Sequence, residues 1–310
     1  MLPDKNALII IVGPTGVGKS AFALALAARI GGEIISCDSM QVYKGFDIGT
    51  DKPSAEARKK VPHHLLDIVD GAAQFTAADF AALAFNAILA IGRRGGVPLV
   101  VGGTGLYFKA LLDGLFPGPG RDEAVRRALD REAREHGLDH LWKRLETVDP
   151  NYAKKIGSND RIRIVRALEV RAVTGIPLST HFGRTQSRIQ DYVAHKIGIQ
   201  LEREELYRRI ETRVDRMFER GLVEEVRALL ASGVDETAPP FKALGYKFVL
   251  RFLKDQIGLE EAVVRTKIET RHYAKRQMTW FRKMDGVLWF RADKIEEIIS
   301  YVENNLATAE

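Results

Sequence analysis

Gly13-Pro14-Thr15-Gly16-Val17-Gly18-Lys19-Ser20 fits the pattern G-x-x-x-x-G-K-[ST]. Glycines at this spacing let backbone N–H groups turn inward around phosphate oxygens, and a helix starting there adds a favourable dipole. Lys19 supplies a point charge, and the Ser20 hydroxyl can ligate Mg²⁺. The segment predicts a site for a diphosphate or a triphosphate without saying whose. Asp38, just past Ile34-Ile35-Ser36-Cys37, is the second residue of interest. At a strand's carboxyl end its carboxylate can act as a general base or hold the water shell of a metal. As a turn or N-cap residue it would only shape the chain. Thr104, in Gly102-Gly103-Thr104-Gly105, has a similar pair of readings: a hydroxyl in a site, or part of a tight turn. Phosphate-loop NTPases also carry an apolar strand ending in Asp. Here the natural candidate, Leu99-Val100-Val101, ends in glycine.

These residues need a scaffold, and the hydrophobic pattern supplies one. Ala7 to Val12 is a β-branched run closed by glycine, which predicts a buried parallel strand. Ser20 to Ile30 reads as a helix and Glu33 to Ser36 as a strand. Phe75 to Arg93 reads as a long helix with Thr76 at its N-cap, and Pro98 to Val101 as another strand. Strands alternating with helices predict an α/β fold with a parallel sheet, whose ligands lie beyond the strands' carboxyl ends. The Pro/Gly cluster from Leu115 to Arg121 predicts a hinge, and Arg121 to Val173 is helical and charged. Ala194 to Leu201 returns to the sheet. Helices over Arg203 to Arg220, Leu222 to Ala231 and about Leu259 to Lys283 follow, then a strand, Val287 to Phe290, and a terminal helix. The expected organisation is a phosphate-loop α/β core, 1–116 and 193–310, interrupted by an all-helical insertion, 117–192.

The 310 residues are 45% hydrophobic and 28% charged, which excludes a disordered, collagenous or fibrous chain. The single cysteine, Cys37, cannot pair internally and points to a reducing compartment. Asp4 and Lys5 precede only six apolar residues, so no secretory signal is read there. No stretch reaches the ~18 apolar residues of a spanning helix. A cytoplasmic protein without membrane association is expected. Within the formal net charge of +6, residues 150–200 carry nine Lys and Arg against three Asp and Glu, and 265–291 carry eight against two. Two basic islands on a slightly acidic body favour a nucleic-acid partner over basic helices that merely face water. His63, His64 and His181 lack metal-ligand spacing and read as structural.

The phosphate loop is followed in order by Asp38-Ser39-Met40-Gln41-Val42-Tyr43, Gly102-Gly103-Thr104-Gly105-Leu106-Tyr107, Asn159-Asp160, Arg163 and Arg166-Ala167-Leu168-Glu169. Gly245-Tyr246-Lys247 and Lys275-Arg276-Gln277-Met278-Thr279-Trp280-Phe281-Arg282 complete the series. Together these segments resemble the tRNA dimethylallyltransferases, also called isopentenyl-tRNA transferases. The resemblance implies transfer of a dimethylallyl group from its diphosphate to N6 of adenosine 37, beside the anticodon. It implies that Asp38 takes the proton of the adenine amine and that Thr104 positions the reacting groups. Gly13 through Ser20, with Arg213, would hold the diphosphate, with Mg²⁺ at Ser20. The tRNA anticodon stem-loop would meet Asp38, Ser39, Met40 and Gln41; Arg126; Ile162, Arg163, Ile164, Val165 and Arg166; Lys242, Ala243, Leu244, Gly245, Tyr246 and Lys247; and Lys275 through Arg282. Ile162 departs from the family, many members of which have a polar residue there, often Gln. Trp280 reads as packing or as a platform for a base.

The chemistry is consistent with that family. Displacing diphosphate from an allylic carbon needs a cradle for the leaving charge but no γ-phosphate cleavage, so the absent strand-end Asp is accounted for. A monomer is expected, with ATP binding weakly in the same cradle. Three alternatives remain at this level: a nucleotide or small-molecule kinase, a prenyltransferase acting on free AMP or ADP, and a non-catalytic RNA-binding protein with a vestigial phosphate loop.

Overall fold

Every residue of β1 (Ala7–Val12) is buried, and this strand organises a six-stranded parallel sheet among the described residues. The computed structural model describes residues 6–307 except 117, 183, 184 and 186. Asp4 and Lys5, Pro117 of the Pro/Gly cluster and Arg184 of the first basic island lie outside the described residues. After β1 come α1 (Lys19–Ile30), β2 (Gly32–Cys37), α2 (Ala55–Lys60), β3 (His63–His64), α3 (Ala77–Arg93), β4 (Val97–Gly102) and α4 (Gly105–Leu112). The helices α5 (Glu123–His136), α6 (Leu138–Val148), α7 (Pro150–Ala153), α8 (Arg161–Thr174) and α9 (Leu178–His181) follow. The chain then forms β5 (Val193–Gln200), α10 (Arg203–Glu219), α11 (Leu222–Ala231), α12 (Leu244–Leu253), α13 (Leu259–Phe281), β6 (Val287–Arg291) and α14 (Ile295–Ala307).

The sheet order is β3-β2-β4-β1-β5-β6. In register, Ile9 faces Leu99 and Cys37 faces Gly102, so β2 and β4 end side by side. Isoleucine and valine dominate these strands because a parallel sheet covered on both faces buries successive residues alike. Phe22 and Leu26 of α1, Ile210 of α10 and Ile298 of α14 pack with Ile9, Leu99 and Ile197 into the main core. Helix α3 begins at a reciprocal cap: Thr76 Oγ1 accepts from the Asp79 amide at 3.2 Å, and Asp79 Oδ2 accepts from the Thr76 amide at 2.9 Å.

Among the described residues, short elements such as α2, β3, α4 and α12 escape the sequence pattern. The two histidines of β3 exist as a strand only because they pair with Ile34 and Ile35 of β2. Their side chains are structural in the way expected, His64 Nε2 lying 2.6 Å from Glu33 Oε2.

The chain forms two compact units, Met1–Leu112 with Arg188–Glu310, and Asp113–Ser187. The second unit has helices and no strand among its described residues, and has its own core of Leu129, Leu141, Leu145, Ile164 and Leu168. Within it lies Glu169, fully buried, which binds Arg126 (2.8 and 3.0 Å), Arg166 (2.8 Å) and the Asp122 amide (2.8 Å). These bonds outweigh the cost of its burial and hold its carboxyl down at about 2. Ile164 and Val165, expected among the tRNA contacts, are corrected here: both side chains belong to this core. On α8 the neighbouring positions Ile162 and Arg163 point outward, and Ile162 is 82% exposed.

Candidate active site

The loop from Gly13 to Gly18 leaves β1 and enters α1 through Gly18, whose φ of 103° is a left-handed value that glycine adopts without strain. It borders a cleft of about 560 Å³ at the carboxyl ends of β2 and β4. Thr15, Gly16, Gly18, Lys19 and Ser20 line it, together with Asp38, Ser39, Met40 and Gln41 and with Gly102 and Gly103. The sequence-predicted loop, acid and glycine turn therefore meet in one place. Pro14 and Val17 are buried behind the loop.

Lys19 Nζ donates to the Pro14 carbonyl at 2.8 Å. The residue as a whole is half-buried and lines the cleft. Loss of solvent and the nearby Arg213 lower its pKa to about 7, against the opposing pull of Asp38 and Asp51. Arg213 reaches the cleft from α10 and pairs with Asp51 at 3.2 Å, while its buried Nε has no hydrogen-bond partner among the described residues. A cation with an unsatisfied buried donor, beside a lysine that burial tends to discharge, is an environment suited to an anion.

Asp38 Oδ1 accepts from the amides of Met40 (2.8 Å) and Gln41 (3.3 Å). It therefore acts as a turn residue and also lines the cleft. Thr104 sits behind the lining. Its Oγ1 accepts from the Ser39 amide at 3.1 Å and its own amide donates to the Cys37 carbonyl at 3.3 Å, tying the β4 turn to the Asp38 loop. Gln41 braces the same loop by donating to the Thr50 carbonyl at 3.1 Å. Farther along, Glu225 accepts from the amides of Asp47 (3.1 Å) and Ile48 (2.8 Å) and from the Tyr246 hydroxyl.

The expected tRNA residues divide by exposure. Lys242, Ala243, Leu244 and Gly245 line the cleft at the start of α12. Tyr246 and Phe281 are buried, against Phe46 and Phe108, so their side chains cannot contact RNA directly. Lys247, Lys275, Arg276, Thr279 and Arg282 are exposed, and Met278 is half-buried. Trp280 is 39% exposed and covers Gly105, where a Cβ would strike its ring, so it packs and still shows an edge. Gln277 is buried and lines the cleft. Arg163 is exposed beside Asp160, whereas Arg126 and Arg166 are committed to Glu169.

Sequence reasoning missed Asp51, Met217, Thr266, Thr270 and Tyr273, all of which line the cleft. The signal for the last three was present: Thr266, Thr270, Tyr273 and Gln277 share one face of α13 at helical spacing. Burial and the neighbouring Asp38 push the Tyr273 hydroxyl well above the usual tyrosine range, so it is a neutral phenol, within hydrogen-bonding reach of Thr104 and Gln277.

A glycine-rich loop, two half-buried cations and a carboxylate meet in one cleft at the ends of parallel strands of an α/β fold. The IPP transferase family model matches residues 41–284. The chain is 50% identical over 300 residues to a tRNA dimethylallyltransferase of Geobacter metallireducens, covering 96% of this chain and 97% of the relative. The full-length tRNA isopentenylpyrophosphate transferase of Bacillus halodurans superposes with a TM-score of 0.72 at 41% identity, over 97% of both chains. A eukaryotic dimethylallyltransferase acting on tRNA gives 0.77 at 32% identity, over 93% of this chain and 74% of the other. The protein belongs to the IPP transferase family, that of the tRNA dimethylallyltransferases.

Proposed function

We propose that the protein transfers a dimethylallyl group from dimethylallyl diphosphate to N6 of adenosine 37 in tRNA, releasing diphosphate. The observation that carries this reading is the cleft lined by Asp38, Lys19 and Arg213, whose Nε has no hydrogen-bond partner among the described residues. In the reaction the N6 lone pair forms a bond to C1 of the allyl group. The C1–O bond breaks with its electrons passing to the diphosphate, and the N6 proton passes to Asp38. Lys19, Arg213 and the loop amides take up the developing charge on the diphosphate. An exocyclic amine is a weak nucleophile, and a carboxylate in reach improves it as the proton leaves. The adenine must leave its stack to enter the cleft. Lys275, Arg276 and Arg282 on and just after α13, and Arg163 on α8, are exposed and serve as phosphate contacts.

Mg²⁺ would supply charge neutralisation on the diphosphate, held at the Ser20 hydroxyl. Among the described residues no group of three His, Cys, Asp or Glu could cage an ion. That donor set fits an ion that takes most of its ligands from substrate phosphates and water, as Mg²⁺ does. Dimethylallyl diphosphate, rather than ATP, is the productive ligand, because β4 ends at Gly102 with no carboxylate for a γ-phosphate reaction. Among the described residues no helix is long and apolar enough to cross a membrane. The test is incubation with dimethylallyl diphosphate, Mg²⁺ and unmodified tRNA in nucleotide-free buffer. Diphosphate release and an equal mass gain on the tRNA are expected. A strict requirement for ATP, or its hydrolysis coupled to transfer, would refute the reading.

A further inference from the structure

Resting on that functional reading, we infer that Gln277 is a positioning residue that locks the diphosphate cradle to the strand end carrying the acceptor side of the site. Its side chain bridges two segments far apart in sequence. Gln277 Oε1 accepts from the Thr15 amide of the phosphate loop at 2.8 Å, and Gln277 Nε2 donates to the Gly103 carbonyl beyond β4 at 2.9 Å. The Thr15 amide can only donate and the Gly103 carbonyl can only accept, so the carboxamide has one orientation that satisfies both. The fit is close. A Cβ at Gly103 would collide with the Gln277 amide, so the second glycine of Gly102-Gly103-Thr104-Gly105 makes room for this bridge. Next to it, Thr104 holds the Ser39 amide and so the Asp38 turn. Gln277 therefore sets the spacing between the loop that holds the leaving group and the carboxylate that takes the proton. It does so from a buried position, on a helix whose outward face carries Lys275 and Arg276.

Spacing of this kind governs rate, since a 1 Å displacement of reacting groups costs about 10²-fold. Gln277→Leu removes both bonds. We expect it to lower kcat by about 10–100-fold and weaken inorganic diphosphate binding by about 3–10-fold, with tRNA affinity within about twofold of wild type. Gln277→Glu keeps the shape and gives a second readout. As a carboxylate it can accept from Thr15 but faces the Gly103 carbonyl with another acceptor; once protonated it restores both bonds. Tyr273 on its own helix, Asp38 after β2, Lys19 on α1, Asp51, Arg213 on α10 and Lys242 are the titratable groups lining the same cleft, and burial favours the protonated form. The ratio of Gln277→Glu to wild-type kcat should therefore rise about tenfold as pH falls from about 8 to 6. A flat ratio, a Leu variant with wild-type kcat, or a loss confined to tRNA affinity overturns the inference. If Gln277→Leu does not fold, the isosteric Glu variant carries the test. Titration with inorganic diphosphate separates failure of the positioning role from failure of the functional reading, since the weaker binding is expected whether or not the wild type transfers a prenyl group.

Discussion

Lys19 should make diphosphate binding take up a proton. At the cleft, desolvation and the Arg213 guanidinium lower its pKa to about 7. A diphosphate placed against it favours the ammonium and restores the pKa toward the ordinary 10.5. Below pH 7 Lys19 is charged in both states, and this group leaves affinity independent of pH. Above pH 7 the free protein must first gain the proton, so affinity is lost as pH rises. For one site with this pKa, Kd weakens about tenfold from pH 6 to pH 8 and about tenfold again to pH 9. Proton uptake on binding is about a half at pH 7 and about nine-tenths at pH 8. The ligand's own last ionisation, near pH 6, acts in the opposite direction and is nearly complete by pH 7. The assay is calorimetric titration of dimethylallyl diphosphate without tRNA, between pH 7 and 9, in buffers of different ionisation enthalpy. Lys19→Arg keeps a charge that does not titrate in this range, so its affinity should be flat with pH. A flat wild-type profile with no buffer-dependent heat would refute the argument.

Asp38→Asn should keep tRNA affinity and lower turnover by about 10²–10⁴-fold, measured by single-turnover transfer; near-normal turnover would remove Asp38 as the base. Glu169→Gln leaves two guanidiniums without their carboxylate and should destabilise the helical unit by about 3 kcal/mol in urea unfolding at neutral pH. The folded pKa of Glu169 is depressed, so the same contribution is present above about 4.5 and is lost as pH falls toward about 2. Arg163→Ala combined with Lys275→Ala should weaken tRNA binding and flatten the slope of log affinity against log salt by about 0.7–0.9 for each tRNA phosphate that the variant no longer neutralises. An unchanged slope would assign both residues to structure.

The sequence by itself determined whatever depends on near neighbours. The phosphate loop is a run of eight residues whose glycines, lysine and serine carry their chemistry in their spacing. The buried strands were legible because a parallel sheet asks for unbroken apolar runs, and α3 because its cap and its apolar stripe agree. The family was legible in the ordered motifs, since their residues cluster on the chain. What only the tertiary structure decided is which side of a motif faces the site. Arg163 and Arg166 are one turn apart on α8, yet one is exposed beside Asp160 and the other is held by Glu169, Pro119 and Gly120. Gln277 sits among exposed basic residues and reads as one more surface contact, but the helix turns it inward onto Thr15, 262 positions away. Arg213 meets Asp51 across 162 positions. Such pairings have no local signature, because what fixes them is the closing of the sheet and its helices around one cleft. Only there does burial set the charge of Lys19 and decide which polar atoms have partners.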